Sequence, residues 1–210
     1  MSKIQEIAQA VETGKSKLVG GLVEAALAEG LDPLIILNEG MINAMSVVGE
    51  KFQKSEIFVP EMLVAARTMK KGVEVLKPRL AGVANISLGK CIIGTVHGDL
   101  HDIGKNLVSL MIESAGFEVM DLGVDVPVDT FINTLKDNPD AKIVALSCLL
   151  TTTMPAMKET AAALKISGLG GFKLMVGGAP ITQEFADQIG ADGYTTDAAS
   201  AAVLAKKLSA

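Results

Sequence analysis

The sequence has no tryptophan, one tyrosine and six phenylalanines in 210 residues, so its core has to be assembled from Ala, Val, Ile, Leu and Met. Cysteine is almost as scarce. Only Cys91 and Cys148 occur, without CxxC spacing, and reduced thiols in the cytoplasm are the expected state. Positive charge is in deficit: the formal net charge is −5, which argues against a nucleic-acid or anionic-membrane surface. There is no run of about 18 apolar residues, so no membrane span is expected. The amphipathic opening "MSKIQEIAQAVETG" lacks the apolar core of a signal peptide. Histidine is rarest of the chemically active residues. The chain has two, His97 and His101, and both fall in "GTVHGDLHDIGKNL" (94–107).

What is present is hydrophobic periodicity. Residues are 49% hydrophobic, enough for a substantial core, and residues 1–80 carry it at helical spacing. Leu18, Val19, Leu22, Ala25 and Ala26 form one stripe; Met41, Ile42, Met45, Val48 and Phe52 a second; Met62, Ala66, Met69, Val73 and Leu76 a third. Breaks at Thr13–Gly14, Gly30 to Pro33 and Ser55 to Pro60, with a short opening helix at 3–12, predict four helices in a small antiparallel bundle. Pro60 suits a helix's first turn, where its missing N–H has no helical partner. Residues 81–89 read as a linker. Beyond them, short β-type runs at 90–96, 117–123, 142–148, 172–178 and 192–196 alternate with helical stretches. Five strands alternating with five helices predict a doubly wound parallel sheet, flavodoxin-like or Rossmann-like, with ligands beyond the carboxyl ends of the strands.

That edge is where the chemistry collects. The loop "HGDLHDIGKN" follows strand one, "LSCLLTTT" (146–153) ends strand three, and Gly177-Gly178-Ala179-Pro180 ends strand four. Gly94, Gly98 and Gly104 do not have GxGxxG spacing, and Gly104-Lys105-Asn106 lacks the rest of a P-loop. A zinc shared by His97 and His101 would need a continuous helix across Gly98 and a further ligand, and no third histidine exists. Asp99-x-His101 is different. A carboxylate two residues before an imidazole can fix its tautomer and raise its basicity toward a metal. One such histidine suits a metal whose other positions come from a macrocycle, and Gly104 lets a bulky ligand approach the backbone.

Asp99-x-His101-x-x-Gly104, then Ser147-x-Leu149, then Gly177-Gly178, resembles the cobalamin-binding signature DxHxxG…SxL…GG. "VVGEKFQKSEIFVPEMLVAARTMKKGVEVLKP" (47–78) is similar to the helical cap in front of the cobalamin domain of methionine synthases and corrinoid methyl-carrier proteins. The resemblance implies a helical cap domain over 1–88 and a cobalamin-binding α/β domain over 89–210. It implies a cobalamin or related corrinoid, as methylcobalamin and cob(I)alamin, with cobalt held from below by His101 and the cofactor's own base displaced. Asp99 is then the orienting partner. Thr153 takes the place of a hydroxyl that is serine in methionine synthases. Ser147, Leu149, Thr151, Gly177 and Gly178 line the pocket for the displaced nucleotide tail, Gly98 and Asp102 belong to the histidine loop, and Phe52, Phe58, Val59 and Met62 shield the upper face. His97 lies outside the motif and reads as a strand-end residue, Cys148 as a small buried hydrophobe, and Thr151–Thr153 as a helix N-cap run. The sequence leaves open whether Glu39, His97 and Tyr194 touch the corrin.

By the same resemblance the chain is a non-catalytic, cofactor-carrying subunit. Its expected partners are a substrate:corrinoid methyltransferase, a corrinoid:acceptor methyltransferase acting on a pterin or thiol, and a reductive activase. Two alternatives were weighed. A cobalamin-dependent sensor would need a DNA-binding or signalling domain. A mutase small subunit usually lacks the helical cap.

Overall fold

A computed structural model describes residues 1–80 and 87–210. These fall into two compact units, Met1–Ile86 with Ser114–Gly116, and Ser87–Glu113 with Phe117–Ala210. Most of the segment read as a linker, 81–86, lies outside the described residues.

In the first unit the helices are α1 (Lys3–Glu12), α2 (Val19–Ala28), α3 (Pro33–Ile35), α4 (Asn43–Gln53) and α5 (Val59–Leu80), with a π-helical segment, Ile36–Ile42, joining α3 to α4. Among the described residues these make four helical stretches, broken where Gly and Pro predict. Ser2 and Gln5 close a capping box at the start of α1, and Pro33 follows an Asp32 cap whose carboxylate accepts from Leu34 N–H. The stripes of α4 and α5 face inward as expected, through Met41, Met45, Val48, Met62, Met69 and Leu76. The α2 stripe is rotated from expectation. Leu18 is exposed, Leu22 half-buried, and Val19, Val23 and Ala26 are buried. Leu18 sits at the N-cap position, outside the turn whose phase sets the buried face. The π segment has no signature in hydrophobic periodicity. It places Gly40 against α1, where an added Cβ would lie 3.2 Å from Ile7 Cγ2.

The second unit alternates β1 (Lys90–Thr95), α6 (Ile103–Ser114), β2 (Glu118–Asp121), α7 (Val128–Asp137), β3 (Ala141–Ser147), α8 (Met154–Ile166), β4 (Lys173–Gly177), α9 (Gln183–Ile189), β5 (Gly193–Tyr194) and α10 (Ala198–Ser209). All neighbouring strands pair in parallel, in the order β2-β1-β3-β4-β5. This is the flavodoxin-type arrangement, whose order reverses between β1 and β3. Residues 91–95 of β1 and 143–146 of β3 are uninterrupted buried runs, as strands covered on both faces require. Val144, Leu146 and Val176 of the sheet pack with Phe131 of α7 and with Met157 and Leu164 of α8. Among the described residues no helix is long and apolar enough to cross a membrane.

Candidate functional site

The register of the three central strands fixes one line of residues at the carboxyl edge. Thr95 of β1 pairs with Ser147 of β3, and Ser147 with Gly177 of β4. The loops that follow begin at the same level, on the side and at the switch point where such sheets bind ligands.

After β1 the chain turns through Gly98 at φ 82°, a left-handed conformation that suits glycine. The turn carries Asp99 inward until none of it is exposed. Its carboxylate is fully engaged. Oδ1 accepts from His101 N–H at 3.1 Å and lies 2.9 Å from His101 Nδ1. Oδ2 accepts from Leu149 N–H at 2.7 Å, from Leu150 N–H at 3.3 Å and from the Thr153 hydroxyl at 2.7 Å. Burial alone would raise its pKa. The Leu149 amide, the Thr153 hydroxyl and the amide and ring of His101 outweigh that and hold the carboxyl well below the usual carboxylate range. The group is therefore an anion, and an anion only accepts. His101 Nδ1 must carry the proton, which leaves Nε2 of the neutral ring with a free lone pair. The Thr95 hydroxyl donates to the His101 carbonyl at 2.9 Å, so backbone and ring are both held. The His101 side chain stays 49% exposed, accessible to a ligand.

Thr153 ends a 3₁₀ turn (Thr151–Thr153) leading into α8 and occupies its N-cap position without making a side-chain cap. Its hydroxyl lies 2.9 Å from the Leu150 carbonyl as well as 2.7 Å from Asp99 Oδ2. With one proton, it donates to the charged acceptor. The N-cap expectation for this run gives way to the carboxylate's demand. Thr151 is exposed and Ser147 half-buried. Burial pushes the Cys148 thiol up to about 11, the Asp99 charge adding to the rise while the Thr153 hydroxyl opposes it. Burial pushes Cys91 up to about 12. Neither is a poised nucleophile.

The two glycines after β4 serve different ends. At Gly178, with φ 132°, an added Cβ would fall 1.7 Å from the Cys148 carbonyl oxygen, so the strand-three loop itself requires glycine there. At Gly177 the nearest neighbour is the Thr195 carbonyl at 3.9 Å, and at Gly104 there is nothing within 4 Å. These two leave open surface. Tyr194 is half-buried against the core of the sheet. Asp102 precedes α6 and its carboxylate accepts from Asn106 Nδ2 at 3.0 Å. His97 is exposed and paired with Asp125, 2.8 Å away.

The sequence reading missed several members. Leu150 contributes only an amide, which no residue type reveals. Thr95 looks like any β-branched strand residue. Leu100 and Ile103, which flank His101 and Asp102, are 72% and 86% exposed. Their signal was available: two bulky apolar residues in an otherwise polar loop. With Leu149 and Leu150, each 41% exposed, they add apolar surface to the loops that hold His101 and Asp99. In the first unit Phe52 is half-buried, Phe58 and Val59 are exposed at the start of α5, Met62 is wholly buried, and Glu39 is exposed on the π segment.

A braced imidazole, exposed apolar residues beside it and glycines that leave space could hold a metal-bearing macrocycle at the edge of a doubly wound sheet. The residues fit such a group: His101 could ligate it, Asp99 holds the ring through Nδ1, and bare backbone lies beside it. Comparisons with known proteins give the particular group. A B12 binding domain family matches residues 89–203, and a second B12 binding domain family matches residues 3–77. The chain is 44% identical over 207 residues to dimethylamine corrinoid protein 1 of Methanosarcina acetivorans, covering 98% of this chain and 96% of that one. It is 42% identical over 194 residues to trimethylamine corrinoid protein 1 of Methanosarcina mazei, covering 91% and 89%. Among solved structures it resembles a chain of the methanol:cobalamin methyltransferase complex of Methanosarcina barkeri, with TM-score 0.87, 30% identity and coverage of 99% and 79%. It also resembles a cobalamin-binding protein of Desulfitobacterium hafniense, with TM-score 0.80, 33% identity and 98% of each chain covered. The chain belongs to the B12-binding corrinoid protein family.

Proposed function

We propose that this chain carries a methyl group on corrinoid cobalt, receiving it from a substrate:corrinoid methyltransferase and yielding it to a second methyltransferase with a pterin or thiol acceptor. A reductive activase restores the cofactor after adventitious oxidation, and the setting is the cytoplasm, in keeping with two free, buried thiols. Relatives named as dimethylamine and trimethylamine corrinoid proteins, and a neighbour from a methanol:cobalamin methyltransferase complex, support a methylated amine or alcohol as donor. The observation that carries the reading is the Asp99–His101 pair at the carboxyl edge.

A bound cobalt would supply the methyl-carrying chemistry. The protein's part is to hold and tune. His101 Nε2 would hold the cobalt. Asp99 keeps the opposite nitrogen protonated and strengthens the lone pair, and Thr153, with the Leu149 and Leu150 amides, keeps Asp99 ionised and in place. Gly98, Asp102 and Gly104 form the ligand's loop. Ser147, Leu149, Thr151, Gly177 and Gly178 line the nucleotide pocket. Phe52, Phe58, Val59 and Met62 belong to the helical cap domain. The cap spans 1–88 and the cobalamin-binding domain 89–210. The test is reconstitution with hydroxocobalamin, comparing the parent with His101→Ala. The parent should bind and show an imidazole-ligated visible spectrum. The variant should lose that spectrum and bind roughly 10–100-fold more weakly, as losing a key group around a metal does. An identical spectrum from the two removes His101 from the cobalt.

A further inference from the structure

The segment "LGVDVP" (122–127) joins β2 to α7 and takes no part in the Asp99–His101–Thr153 contacts; of its own contacts only the Asp125–His97 pair appears above. It nevertheless holds one of two described non-glycine residues with positive φ, Asp125 at 52°. Aspartate tolerates that conformation better than most residues. Such an outlier is maintained only where its surroundings over-determine it.

The surroundings are the histidine loop. Thr95 N–H donates to the Gly123 carbonyl at 3.0 Å, and Val126 N–H returns to the Thr95 carbonyl at 3.0 Å. Val96 and Val126 form a parallel bridge. The segment thus prolongs the sheet past the end of β2, alongside the residues that lead to Asp99. Asp125 then grips the turn at two points. Its own N–H donates to the Asp99 carbonyl at 2.9 Å. Its Oδ1 accepts from Gly98 N–H at 2.7 Å and lies 2.8 Å from His97 Nδ1. Gly98 is itself left-handed. Two left-handed residues therefore face each other, and one residue fixes both the amide before Asp99 and the carbonyl after it.

We propose that Asp125 is a positioning residue for the cobalt ligand: by gripping the Gly98–Asp99 turn from the β2–α7 loop, it holds the Asp99 carboxylate in line with His101 Nδ1. The inference rests on the reading that His101 ligates corrinoid cobalt. The Gly98 amide is the working contact. The His97 contact is an ion pair between two largely exposed side chains, and such pairs contribute little. The Gly98 N–H above all, aided by His97, holds the Asp125 carboxyl below its usual range against desolvation, so the acceptor is charged and the amide bond is of the stronger, charge-assisted kind.

The test compares Asp125→Gly, Asp125→Asn and His97→Ala in the full chain, titrated with hydroxocobalamin and followed by visible absorption. Glycine keeps the left-handed backbone and deletes the acceptor. Asparagine keeps the backbone and an acceptor oxygen. Asp125→Gly should bind about tenfold more weakly, the scale of losing an outer support of a metal ligand, with a larger fraction lacking the imidazole-ligated spectrum. Asp125→Asn should stay within about threefold of the parent, since an amide oxygen still accepts. His97→Ala should stay within about twofold, as loss of an exposed pair implies. A variant-free readout is hydrogen exchange in the corrinoid-free chain, where the exposed Gly98 amide should be protected. The proposal is overturned if Asp125→Gly matches the parent, if Asp125→Asn or His97→Ala is as poor as Asp125→Gly, or if the Gly98 amide exchanges freely. Should Asp125→Gly not fold, the other two variants and the Gly98 amide decide by the same criteria. A parent that takes up no hydroxocobalamin rejects the cobalt reading instead.

Discussion

Asp99 is buried, ionised and surrounded by donors from two loops. Its folded pKa is depressed, so as the pH falls the unfolded chain takes up the proton first. The stability it contributes is fully present above the ordinary aspartate value of about 3.9 and is lost as the pH drops through that value toward the folded one. In urea titrations of the corrinoid-free protein, the difference in unfolding free energy between the parent and Asp99→Asn should be largest above about pH 5 and shrink toward about pH 3. A difference that does not vary with pH contradicts the assignment. At this scale the hydrogen-bonded side chains were those the sequence points to. Asp99, His101 and Thr153 were legible because carboxylate, imidazole and hydroxyl each announce a role, and the resemblance put them in order. The amides of Leu149 and Leu150, which complete the carboxylate's shell, were not. A backbone donor leaves no mark in residue type, and only the register of β1 against β3 brings it within reach.

Among the elements, the sheet was more legible than the helices that precede it. Buried parallel strands are short, apolar and β-branched, and Gly and Pro bound them, so their limits follow from composition. The helical stripes of α4 and α5 also followed. The rotated face of α2 did not, because Leu18 falls at the N-cap, outside the helix, and the π segment did not, because a π turn changes the helical phase without changing the apolar content on which periodicity depends. Gly178 illustrates how a glycine can serve an end the sequence does not reveal. The sequence argues for small residues that leave room for a ligand, and Gly177 does so. Gly178 is required by the approach of the Cys148 carbonyl to 1.7 Å from where a Cβ would stand. Gly178→Ala must therefore push back the loop whose Leu149 amide holds Asp99. We expect it to cost about 3 kcal/mol or more of stability by urea unfolding, at the upper end of what forced overpacking costs, and to weaken corrinoid uptake. A variant as stable as the parent would show that this contact is not tight in solution.

Across the whole molecule, the change of texture near residue 81 was visible in the sequence as helical period giving way to strand–helix alternation, and two B12 binding domain families match on either side of it. The methyl donor was not legible. On the proposed reading, selection among donors belongs to the partner methyltransferase. The cobalt ligand is the claim on which the functional reading turns. It can be read directly because the chain has only two histidines. The measurement is the electron paramagnetic resonance spectrum of the protein reconstituted with cobalamin, reduced to Co(II), and grown with nitrogen-15 histidine. If His101 is the axial ligand, the three-line splitting from an ordinary nitrogen becomes a two-line splitting in the labelled protein. That two-line pattern survives His97→Ala and disappears in His101→Ala. A three-line splitting indifferent to the label, from the cofactor's own base, would contradict the account.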